Sequence, residues 1–204
     1  SWGTGWWDKL GYSSVCSAAD FFKTTSGAND TPQWAYQKNF YRYLLARWGY
    51  SRALVGSVSL CEIDGTTGYA GTSGANPAQA TAWCGAVRDY LAANDPYRLA
   101  GGAYPAAVSK TDWSAGATTW SNGCNLAAVD SYTQQNSNGG IANAIATQTT
   151  AMRGTGRPAF HAEFGGQVGA GATEPTHLHN GLWAGFAAGA PARGTPFRLG
   201  TRRH

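Results

Sequence analysis

The 204-residue sequence contains no uninterrupted apolar run near the ~18 residues that a membrane-spanning helix needs, so no spanning helix is expected. Charge is also scarce, at 13% of residues, and the net +4 owes much to the late Arg193, Arg198, Arg202 and Arg203. Elsewhere Lys and Arg are scattered, with no basic helix and no basic run beside aromatics. Nucleic acid is therefore not an expected partner. The four cysteines, Cys16, Cys61, Cys84 and Cys124, show no C-x-x-C spacing, which argues against zinc. A G-x-S-x-G elbow is missing, which removes the usual serine hydrolase, and no repeat of solenoid length is visible. The chain opens on Ser1 with no charged-then-apolar leader after it, so its N-terminus reads as processed, excised or truncated.

What is present is enough for a sizeable core, and one domain over residues 1–204 is expected. An even number of cysteines permits disulfides in a secreted protein, with three connectivities, so secretion stays open. Cys84 falls on the apolar face of a predicted helix and reads better as a buried thiol. Nine Trp and ten Tyr suit either a core or stacking on sugar faces.

Residues 1–30 read as a long loop with one short helical turn. A loop of that length is usually functional, or else marks a wrong assignment. Thr31-Pro32 opens a helix with Thr as N-cap, Phe40, Leu44, Leu45 and Trp48 as its apolar stripe, and Gly49 as its stop. Asn76-Pro77 starts a second helix with Ala80, Trp83, Cys84, Val87 and Leu91 on one face. A third carries Ile141, Ile145 and Met152, and a fourth Leu178, Leu182 and Phe186. Strands are expected over residues 54–60, 99–104, 126–132 and 158–163, with 105–123 unassigned. An irregular tail, 190–204, holds one strand at most. This alternation predicts an α/β fold with a parallel sheet. Four clear strands and a doubtful fifth are too few for a closed eight-strand barrel.

Two of the strands end alike. Leu54-Val-Gly-Ser-Val-Ser-Leu-Cys-Glu62 and Pro158-Ala-Phe-His-Ala-Glu163 are apolar runs closed by a glutamate, with glycine soon after. Carboxylates at the C-terminal edge of a parallel sheet sit where ligands bind, and paired carboxylates suit glycoside hydrolysis. His161 shares the strand face of Glu163 by period two, and reads equally as a satisfied interior histidine. His177 and His179, two apart on a helix, do not face one metal; a solvated or capping role is expected of them.

Six segments, in this order and spacing, carry a family resemblance. They are Phe40-Tyr-Arg-Tyr-Leu-Leu-Ala-Arg-Trp-Gly-Tyr-Ser51, the strand ending Cys61-Glu62, Asp95-Pro-Tyr-Arg98, Val129-Asp-Ser-Tyr132, Arg157-Pro-Ala-Phe-His-Ala-Glu-Phe-Gly165 and His177-Leu-His-Asn-Gly-Leu-Trp-Ala-Gly185. Over roughly residues 16–189 the chain resembles cellulase-like retaining glycoside hydrolases, (β/α)8 barrels with catalytic glutamates ending strands four and seven. The resemblance implies a partial TIM (β/α)8 barrel, roughly strands four to eight, with strands one to three expected upstream. It implies Glu62 as acid/base and Glu163 as nucleophile, ~5–5.5 Å apart. Tyr132 would hydrogen-bond the nucleophile, and Cys61, Asp130 and His161 would line the sugar site. The substrate would be an oligo- or polysaccharide with β-linkages, and no cofactor or metal is implied. Open sheet edges would self-associate unless segments such as 1–30 cover them.

The sequence also departs from the family. Cys61 stands where Asn usually binds the sugar 2-hydroxyl, and Ser57 and Val58 replace Trp and Glu. Asp130 stands where His is common, and the strand-eight Trp has no match in Thr195-Pro-Phe-Arg-Leu. Turnover below that of an intact member is expected. The alternative is a catalytically silent carbohydrate-binding remnant.

Overall fold

The computed structural model describes residues 5–51, 56–60, 63, 66–70, 77–95, 103–109, 127–131, 138–154, 156, 159–164, 174–189 and 195–196. The chain divides into two compact units, residues 1–107 with 119–125, and residues 108–118 with 126–204.

In the first unit, helix α1 (Gly5–Lys9) and two 3-10 turns (Tyr12–Ser14 and Ala18–Asp20) precede a hairpin. Its strands β1 (Thr25–Ser26) and β2 (Asn29–Asp30) pair antiparallel, and Gly27 supplies the left-handed φ of 63° at the turn. The segment expected as a loop is thus built, and it packs. Phe22 is buried, and its ring lies 4.9 Å from that of Trp83.

Helix α2 (Pro32–Trp48) begins where its capping residues predict. The Thr31 side chain accepts from the Trp34 N–H, Pro32 takes the first position and Gly49 caps the end. Its buried face differs from the expected stripe: Gln33, Trp34, Gln37 and Tyr41 are buried, whereas Phe40 and Trp48 are exposed. The glutamines tolerate burial because residues 20–21 meet them. Gln33 Nε2 donates to the Asp20 carbonyl and Gln37 Nε2 to the Phe21 carbonyl, each at 2.9 Å. After the short helix α3 (Thr67–Ala70), α4 (Pro77–Asn94) buries Ala80, Trp83, Cys84, Val87 and Leu91, the face its periodicity predicts. Cys84 is a buried thiol outside any disulfide. Strand β3 (Gly56–Leu60) pairs parallel with the start of β4 (Ala103–Ser109), through shifts in register.

In the second unit, Val108 and Ser109 of β4 pair parallel with Ala128 and Val129 of β5 (Ala127–Ser131). Strand β5 pairs with β6 (Ala159–Phe164), and β6 with the two-residue β7 (Thr195–Pro196), again parallel. Helices α5 (Asn138–Arg153) and α6 (Glu174–Ala187) pack on each other and on β6. Ile141, Ile145 and Phe164 form the buried cluster, with Leu178 and Ala184 against it. Leu182 and Phe186, expected to face inward, are exposed. The inner face of α6 is instead small: a Cβ at Gly181 would lie 2.5 Å from the Phe164 ring, and one at Gly185 would lie 3.4 Å from Ile145.

These features correct the fold class expected from the sequence: the chain is not a partial (β/α)8 barrel. Such a barrel is one parallel sheet around a core of inward strand residues, with helices outside. The described residues are mainly helical, and the β1–β2 pair is antiparallel. The described core of the first unit lies mostly on α2 and α4, and that of the second on α5 and α6 against Phe164. The strand sequences also differ from a barrel's: β4 (AYPAAVS) and β5 (AAVDS) are rich in small residues where a barrel interior takes Val, Ile and Leu. Pro105 also removes a ladder donor from β4.

Candidate functional site

The site-bearing part of the second unit is the C-terminal end of β6. Strand β6 runs opposite to α5: His161 meets Thr149 late in the helix, whereas Phe164 packs on Ile141 and Ile145 nearer its start. The two helices end together, because Arg153 Nη1 donates to the Ala188 carbonyl at 2.8 Å. Leu178, early in α6, joins the cluster of Ile141, Ile145 and Phe164. The start of α5, the start of α6 and the end of β6 therefore share one end of this unit.

Glu163 stands at that end. In the ladder it is the register partner of Asp130 on β5 and of Thr195 on β7. The β5–β6 register shifts between Val129 and Asp130, so Ala162 is an extra residue between the His161 and Glu163 pairings. Such a bulge bends a strand and turns the side chains beyond it, and bulges are over-represented beside active sites. The period-two rule that put His161 and Glu163 on one face does not carry across it. Glu62, Cys61 and Tyr132 lie outside the described residues. With them lie the spacing of the two glutamates and the expected Tyr132–Glu163 contact.

His161 is an interior residue, 3% exposed, with Nε2 at 2.9 Å from Thr149 Oγ1. Burial pulls its pKa down to about 4, and a hydrogen bond to the Ile145 backbone opposes this only in part. It is a neutral, satisfied histidine packed on α5.

His177 departs from expectation. It is 6% exposed rather than solvated, and among the described residues neither ring nitrogen has a hydrogen-bond partner. Burial lowers its pKa, which favours the neutral ring. His179 is exposed, with Nδ1 3.3 Å from Asn180 Oδ1 and its ring beside Trp183. As the spacing predicts, the two histidines do not converge. The missed signal was the run of small residues on α6: with Gly181 and Gly185 facing inward, helical spacing puts His177 on that same face.

Among the described residues no group of three or more His, Cys, Asp or Glu is placed to hold a metal ion, and no helix is long and apolar enough to cross a membrane. Comparison with known proteins gives no matching family model and no match among curated sequences.

Proposed function

We propose that the chain is a glycoside hydrolase acting on β-linked glycans by double displacement, with Glu163 as nucleophile and Glu62 as acid/base. One observation carries it: Glu163 and Asp130 occupy neighbouring register positions at the C-terminal ends of parallel strands. That edge is where ligands of parallel α/β sheets bind. In the first step a Glu163 oxygen bonds the anomeric carbon while the Glu62 carboxyl protonates the departing glycosidic oxygen. In the second, Glu62 takes a proton from water, whose oxygen displaces Glu163 from the sugar. In this mechanism Tyr132, the residue after β5 in the sequence, would donate a hydrogen bond to Glu163 and hold it ionised. Cys61 is a poor partner for the sugar 2-hydroxyl, so turnover is slow.

The test is an aryl β-cellobioside fluorinated beside the anomeric carbon, which slows breakdown of the glycosyl-enzyme. The expected result is release of the phenol and one added fluorocellobiosyl mass on the peptide containing Glu163, absent in Glu163→Gln. No hydrolysis of the unfluorinated glycoside and no adduct would end the enzyme reading. Binding of cellotetraose under those conditions would select the silent binding remnant instead.

A further inference from the structure

We propose that His177 is a substrate-binding residue, its buried and unpartnered imidazole taking a sugar hydroxyl at the C-terminal end of β6. The inference rests on the glycosidase reading and names a residue to which neither the sequence pattern nor the two-carboxylate mechanism gives a role.

Three observations converge on it. His177 is 6% exposed, and both ring nitrogens lack a hydrogen-bond partner among the described residues. A buried polar group left unpaired is destabilising, so such groups in native proteins are nearly all satisfied by protein, water or ligand. His177 also sits one turn before Gly181, against which the Phe164 ring is packed, and next to Leu178 in the cluster of Ile141, Ile145 and Phe164. That placement puts it at the end of β6 where Glu163 stands. Finally, a neutral imidazole offers one N–H donor and one nitrogen acceptor. A sugar hydroxyl can meet either nitrogen, accepting from the N–H or donating to the bare nitrogen. A carboxylate would meet only the donor, and among the described residues no group of three or more His, Cys, Asp or Glu is placed to hold a cation.

The contact is the same in ground and transition states, so it acts on binding more than on chemistry. The experiment follows the His177 side-chain nitrogens by NMR in the uniformly labelled chain while cellotetraose is added. His177→Phe assigns the signals. The expected result is a saturable shift of the His177 ring signals, with His161 unmoved. His177→Phe should bind cellotetraose about tenfold more weakly, which is the scale of one lost hydrogen bond. It should raise KM for an aryl β-cellobioside similarly, with kcat little changed. His177→Gln, whose amide also donates and accepts, should recover part of the loss. If the ring signals stay still while the same sample binds cellotetraose or turns over the glycoside, the inference falls and the glycosidase reading stands. If the sample neither binds nor hydrolyses, both fall. The wild-type titration decides the matter even where His177→Phe does not fold.

Discussion

The indole N–H of Trp83 donates to Gln37 Oε1 at 2.6 Å, both side chains being buried. Gln37 in turn donates to the Phe21 carbonyl, so one amide ties α2 to α4 and to the N-terminal segment. Every polar atom in this junction has its partner inside the protein.

Replacing Gln37 by Leu keeps the volume but strands the Trp83 N–H and the Phe21 carbonyl. Each orphaned group costs about 1–3 kcal/mol, so a loss of about 2–6 kcal/mol is expected. Denaturant unfolding followed by indole fluorescence measures it. Tyr90→Phe removes only the 3.2 Å bond from the Tyr90 hydroxyl to the Lys38 carbonyl and should cost about 1 kcal/mol. Equal effects from the two would mean that the Gln37 junction does not exist in solution.

The glycines give a prediction of opposite sign at two positions. A Cβ at Gly181 would sit 2.5 Å and 2.9 Å from Phe164 ring carbons, whereas Gly139 has nothing within 4 Å. Gly181→Ala should therefore destabilise by about 1–3 kcal/mol, because the aromatic ring must move out of a packed cluster. Gly139→Ala should stabilise by up to about 1 kcal/mol through helix propensity alone. Thermal melts of the two variants side by side check this. A stabilised Gly181→Ala would show that α6 does not lie against Phe164.

Legibility in the sequence followed the physics of each signal. Capping is local, and so Thr31, Pro32 and Gly49 bound α2 correctly. The α4 stripe of Ala80, Trp83, Cys84, Val87 and Leu91 is apolar, continuous and buried, and period alone finds it. The face of α2 was misread because its glutamines are satisfied by residues 20, 21 and 83, and periodicity carries no information about distant partners. The face of α6 was misread because glycine registers as weakly apolar, yet Gly181 and Gly185 are what admit Phe164 and Ile145. The partial barrel came from the family resemblance, and a resemblance of short motifs does not weigh side-chain volume along the strands. Strands β4 and β5 are rich in alanine, where a barrel interior takes larger branched residues. At the candidate site, the placement of Glu163 at the end of β6 was legible, whereas the bulge at Ala162 was not. A single-residue insertion in a ladder is set by the partner strand.

His161 makes acid stability a measurable property. Its pKa in the folded protein is about 4 against an ordinary 6.5, because burial penalises the charged ring. The folded state thus binds fewer protons than the unfolded one between these values. The stability His161 contributes is complete above about pH 6.5, declines as pH falls, and is gone below about pH 4. A shift of that size corresponds to roughly 3 kcal/mol. His177, whose pKa is also lowered by burial, acts in the same direction. Urea unfolding from pH 7.5 to 4 should show the decline, and NMR titration of the His161 ring isolates its share. A ring that titrates near 6.5 would mean that His161 is solvated and not packed on Thr149.

The last prediction concerns Cys61 and separates a slow enzyme from a silent one. In retaining glycosidases the hydrogen bond to the sugar 2-hydroxyl strengthens as the oxocarbenium-like transition state forms, and such bonds contribute several kcal/mol. A thiol is a weak donor and a weak acceptor, so the residue before Glu62 supplies little of this. Cys61→Asn introduces an amide with both functions. Under the proposed mechanism kcat should rise about tenfold or more, with KM changed far less, because the gain is confined to the transition state. Aryl β-cellobioside hydrolysis measures both constants. Glu163→Gln in the Cys61→Asn background should return the rate to zero, which ties the gain to the nucleophile. A Cys61→Asn protein that folds as before and gains nothing would show that Cys61 does not limit the reaction.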